Sequence, residues 1–132
     1  MKKDLLTKDD IVLLINTFYE KVKVSNIIGY IFTDVVKVHW EKHLPIMHNF
    51  WENTLFYTGT YEGNPMELHK HLHNILPLTK AHFTEWTTLF INTVDELFEG
   101  KNAALAKQRA ISIATIMQIK ILAEQSGVGN ID

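Results

Sequence analysis

The chain has 132 residues and a formal charge of −2 at pH 7, which suits one domain around a single core and supplies no basic footprint for nucleic acid. Cysteine is absent, which excludes a disulfide framework and fits a reducing cytoplasm. Asp4, Asp9 and Asp10 interrupt the place where a signal peptide needs its apolar run, and no uninterrupted apolar stretch approaches membrane-spanning length.

Helical periodicity runs through the chain, and no segment alternates like a half-buried strand. The first helix is predicted to start near Thr7, whose hydroxyl caps the following amides, with Asp10 three residues on completing a capping box. Ile11, Leu14, Ile15, Phe18 and Val22 then recur every three or four residues, marking one buried stripe. Ser25 and Asn26 end it. The apolar IIGYIF that follows is interrupted by Gly29 and reads as a turn or short helix. A second long helix is predicted from about His39 to Tyr57, with a stripe of Trp40, His43/Leu44, Met47, Phe50/Trp51 and Leu55. Pro45 sits inside it and removes one backbone donor, so either the first turn is still open there or the helix kinks.

TGTYEGNP (58–65) reads as loop, and MELHKHLHNIL (66–76) as at most a short helix before Pro77. Thr79 is expected to cap a third helix with Phe83, Trp86, Phe90, Val94 and Leu97/Phe98 on its inner face, closed by Gly100. A fourth helix, from about Asn102 to Glu124, is apolar almost all round from Ala110 to Ala123, which predicts burial on several sides. Gly127 and Gly129 end the ordered part. The fold class is all-α: residues 1–132 as one domain of four main helices, most simply two antiparallel pairs, with a loop-rich middle.

Seven histidines are present, all between His39 and His82. Without thiolates, any metal here must be held by nitrogen or oxygen. His69, His71 and His73 form an HxHxH run in the middle loop. His39 and His43 are four apart, the spacing that lets two imidazoles grip one metal from a helix, but Trp40 follows His39 where a metalloprotease would have glutamate. A zinc hydrolase using His39, His43 and a loop histidine is one reading; a helical interaction domain without cofactor is another. His39, His48, His71, His73 and His82 are expected to face solvent. His43 differs, because it lies on an apolar stripe and needs a hydrogen-bond partner or a ligand. Tyr19 and Trp86 are ordinary core rings when taken singly. Together, Tyr19, His43 and Trp86 are three inward polar tips on three helices.

These residues stand in a recognisable order: FYEKV at 18–22, IGYIF at 28–32, WEKH then HNFW within 40–51, GNPMELH at 63–69 and HFTEW at 82–86. From about Ile15 to Ala123 the chain resembles the truncated haemoglobins, specifically their third group. The lack of paired glycines near the first bend fits that group better than its sisters. The resemblance implies a shortened globin, a two-over-two helical sandwich around haem b, with a pentacoordinate iron held by one proximal histidine from a short helix in the loop. It places that ligand at His69, four residues after Pro65, with His71 and His73 as alternatives because the HKHLHNILPL loop is long. It matches Tyr19, His43 and Trp86 to the distal, ligand-stabilising residues and Phe32 to the phenylalanine packed on haem.

Phe32, Met47, Phe50, Leu72, Phe83 and Trp86 are the expected pocket walls. Pro45 bears on how the His43 imidazole enters the pocket. The implied function is binding of dioxygen, nitric oxide and other diatomic ligands. Two distal donors suit reaction of the ligand, as in nitric oxide dioxygenase or peroxidase-like chemistry, better than oxygen transport. Such a role requires a reductase to return the iron to its ferrous state.

Overall fold

The computed structural model describes residues 2–35, 39–58 and 78–125, with side chains for all of these but 35 and 122–125. Four helices carry the fold: α1 (Lys8–Lys23), α2 (Trp40–Phe56), α3 (Lys80–Leu97) and α4 (Lys101–Gln125), with a π-helical turn at Ile31–Val35 between the first two. No strand occurs among the described residues. The loop at 59–65 and the segment 66–76, including His69, His71, Leu72 and His73, lie outside them.

The expected capping box at α1 forms, and the expected Thr79 cap at α3 proves to be a capping box as well. The Thr7 hydroxyl accepts from the Asp10 amide and the Asp10 carboxylate accepts from the Thr7 amide; Thr79 and His82 repeat the arrangement at α3. Each satisfies two of the orphan N–H groups of a first turn. The α1 stripe Ile11, Leu14, Ile15, Phe18 and Val22 is buried as the spacing predicts. α2 runs unbroken through Pro45. Pro45 is exposed, so water can take over the Glu41 carbonyl that lacks its usual donor.

α1 packs against α2 and α3, and α3 against α4, with a lighter contact of α2 on α4. Phe98–Gly100 alone joins α3 to α4, a length that makes antiparallel neighbours. α4 departs from the expectation of burial on several sides. Its buried stripe is Ala103, Ala106, Ala110, Ala114, Met117 and Ile121, whereas Ile111, Ile116 and Ile119 are 47%, 51% and 61% exposed. The physical reason is the size of the inner residues, since alanines allow α3 to approach closely and one face is enough for that contact.

The start of α4 is capped from far away. Gly100 precedes its first residue, has φ 137° and offers no side chain. The Asp4 carboxylate takes the cap position instead, accepting from the Asn102 and Ala103 amides at 2.9 and 2.8 Å. Leu5 next to it is fully buried, so the N-terminal strap is pinned by one apolar and several polar contacts. Burial by itself raises the Asp4 pKa, but amide donors from Asn102, Ala103 and Leu5 outweigh it and hold the carboxyl below its ordinary value.

Candidate functional site

An aromatic cluster forms where α1, the π-helical turn and α2 meet. Tyr19 is 6% exposed and lies 5.3 Å from the His43 ring, 5.4 Å from Trp40 and 6.1 Å from Phe32. Trp40 stacks on Phe32 at 6.0 Å and meets His43 edge-on at 5.8 Å. The Lys23 ammonium sits 4.6 Å above the Trp40 ring, a cation–π contact that covers the cluster. Burial pushes the Tyr19 hydroxyl far above the ordinary tyrosine range, because the phenolate cannot be solvated there. Tyr19 is therefore a neutral phenol, and a hydrogen-bond donor, at any physiological pH. α2 is continuous through Pro45, and His43 is half-buried against Tyr19 and Trp40.

Beside this cluster opens an apolar cavity, part of it continuous with solvent. Ile28, Ile31 and Phe32 form one wall, Leu78, His82, Phe83 and Trp86 a second, and Ile113, Ala114 and Met117 the third. Trp86 is held by a stack that runs into the core, on Phe90 at 5.8 Å and 16°, with Phe90 on Trp51 at 4.5 Å and 21°. Phe18 meets Trp86 and Phe90 edge-on at 5.7 and 5.2 Å, and meets Tyr19 at 4.9 Å. Phe18 thus ties the Tyr19 cluster to the cavity wall.

The expected site residues divide accordingly. Phe32, Phe83 and Trp86 line the cavity. Tyr19 and His43 touch each other and reach the wall through Phe32 and Phe18. Met47 and Phe50 are half-buried against the main core and are not among the cavity's lining residues. His69 and Leu72 lie outside the described residues.

Two of the histidines expected to face solvent need correction. His48 is half-buried and hydrogen-bonded to Asn16 at 2.8 Å, and burial followed by the Lys8 charge lowers its pKa. His82 is half-buried on the cavity wall, accepts from the Thr79 amide and meets the Tyr30 hydroxyl. Its position three residues after a capping threonine was the available signal, and glutamate or glutamine is the usual partner there. His39 is exposed, as expected. Ile28, Ile31, Leu78, Ile113, Ala114 and Met117 carried no signal beyond being apolar. Among the described residues, no three His, Cys, Asp or Glu side chains gather to hold a metal ion, and no helix is long and apolar enough to cross a membrane.

No family model matches the chain. The group 3 truncated hemoglobin ctb of Campylobacter jejuni is 30% identical over 121 residues, 89% of this chain and 93% of that protein. A crystal structure of group III truncated hemoglobin from Campylobacter jejuni matches the fold with a TM-score of 0.81 at 27% identity, covering 92% of this chain and 95% of the other. With that identity along nearly the full length of both proteins, and the same helical fold, the chain belongs to the group III truncated haemoglobins.

Proposed function

We propose that the chain binds haem b and, through it, dioxygen, nitric oxide and other small diatomic ligands, for their chemical conversion rather than their carriage. The observation that carries the reading is the buried, neutral Tyr19 phenol set against His43 behind a cavity walled by Phe32 and Trp86. The walls fit the pigment: they are apolar, with flat Phe32 and Trp86 among them, as a porphyrin slot requires. When bound, haem supplies an iron that takes up such ligands in its ferrous form. His69 is the proposed proximal nitrogen, with His71 and His73 as alternatives. Met47, Phe50 and Leu72 remain proposed as further walls, beside Phe32, Phe83 and Trp86.

The distal residues define what the pocket does. Tyr19 offers an O–H and Trp86 an indole N–H, and each hydrogen bond to a charged partner contributes about 1.5–3 kcal/mol. Such donors favour a ligand that carries partial negative charge and slow its release, which suits reaction better than transport. The Phe18, Phe90 and Trp51 rings fix Trp86, so little reorganisation is needed when a ligand arrives. His43, packed edge-on to Tyr19, orients that ring. Nitric oxide dioxygenase or peroxidase-like turnover are the reaction classes proposed, in the cytoplasm and supplied by a reductase not yet identified.

Titration of the apoprotein with haemin tests this. One pigment per chain and an intense absorption band near about 400–430 nm are expected, and His69→Ala should abolish or shift that band. A colourless protein that takes up no haemin but retains zinc after dialysis would refute the reading.

A further inference from the structure

We propose that His82 and Tyr30 form a carboxylate-binding rim on the cavity, seating the acidic edge of the tetrapyrrole; this rests on the haem reading above. Apart from Trp86, His82 is the only polar side chain on the cavity wall among the described residues. Its two ring nitrogens have different surroundings. Nδ1 accepts from the Thr79 amide at 3.0 Å, so the neutral ring carries its hydrogen on Nε2. That atom lies 3.3 Å from the Tyr30 hydroxyl. When Nε2–H donates to the phenol oxygen, the phenol hydrogen is directed onward to another acceptor.

The pair stands at a boundary. Tyr30 is 39% exposed, while Ile28 and Ile31 on either side of it are buried and line the cavity. Haem b is a flat apolar ring with two propionate carboxylates on one edge. A molecule of that shape settles with its ring among Ile28, Ile31, Phe32 and Met117 and its acid edge where water and donors begin. An ionised carboxylate is also the acceptor that gains most from such donors, since charge-assisted hydrogen bonds are about twice as strong as neutral ones. Glu85, one turn further along α3, is engaged by the Ser25 hydroxyl at 2.7 Å.

A capping role for His82 alone would explain the Thr79 bond but not the pairing of its other ring nitrogen with Tyr30. The test separates the two. Parent, Tyr30→Phe and His82→Asn are loaded with haemin or with haemin dimethyl ester, whose acid groups are blocked. Release is then followed to excess apomyoglobin. Asparagine places an oxygen near the Nδ1 position, so it keeps the acceptor for Thr79 and loses the outer donor.

Each variant is expected to release haemin about tenfold faster than the parent, equivalent to about 1.4 kcal/mol, and to release the ester within twofold of it. Unchanged thermal unfolding of the Tyr30→Phe apoprotein would confirm that the fold is not the cause. If parent and variants release haemin alike, or if the ester is released faster to the same extent, the rim is refuted while haem binding stands. If the parent takes up neither pigment, the haem reading falls and the rim with it.

Discussion

Tyr19→Phe is the substitution that most directly probes the pocket. It deletes one oxygen and keeps the ring, so the contacts with Phe18 at 4.9 Å, His43 at 5.3 Å and Trp40 at 5.4 Å persist. At a site that is 6% exposed, phenylalanine leaves no buried hydroxyl to satisfy, and stability should change by less than about 1 kcal/mol. The loss falls on the ligand. A hydrogen bond to a charged acceptor contributes about 1.5–3 kcal/mol, and about 1.4 kcal/mol is tenfold, so oxygen should dissociate roughly 10- to 150-fold faster.

The assay is stopped-flow mixing of oxygenated, ferrous, haem-loaded protein with dithionite. Carbon monoxide carries little charge on its outer atom, so its dissociation should change far less. Because burial raises the Tyr19 pKa above its ordinary value near about 10, the donor stays protonated and the parent's oxygen dissociation should remain level up to that pH. An oxygen dissociation rate within twofold of the parent, with unfolding unchanged, would refute the assignment of Tyr19 as a ligand donor.

Two predictions concern the scaffold. Asp4→Ala removes the acceptor for the Asn102 and Ala103 amides and should cost about 1–2 kcal/mol at neutral pH. The Asp4 pKa is lowered in the fold, so its contribution is present above the ordinary aspartate value of about 3.9 and is lost as pH falls through the folded value. Urea unfolding of parent and variant should therefore converge in acid, and a constant difference down to pH 2 would contradict the cap. Pro45→Ala restores a donor for the Glu41 carbonyl in an unbroken, exposed stretch of α2. It should stabilise the protein by about 1–3 kcal/mol, read as a higher urea midpoint with the same slope, and a lower midpoint would show that α2 depends on its proline.

Helices with a local origin were legible before any coordinates. Thr7 with Asp10 and Thr79 at α3 mark starts because a cap involves residues three apart. The α1 stripe is legible because a 3.6-residue period writes burial into the spacing. The resemblance carried by FYEKV, IGYIF and HFTEW reached the family, and it brought Tyr19, His43, Phe32 and Trp86 forward when each alone read as core. The cavity was not legible in the same way. Ile28 and Ile31 belong to a short turn with no helical period, and Met117 and Ala114 look like every other apolar position on α4.

Periodicity gives the direction a side chain takes from its own helix, but not how near the next helix comes. That distance follows from which alanines of α4 meet α3, and it leaves Ile116 and Ile119 outside. His82 shows the same limit: it was expected to face solvent, and only the approach of Ile28, Ile31 and Phe32 from another segment made it part of a wall. Asp4 is the extreme case. Its carboxylate caps a helix 98 and 99 positions away, because Gly100 brings no side chain of its own and the folded chain carries Asp4 to the empty place.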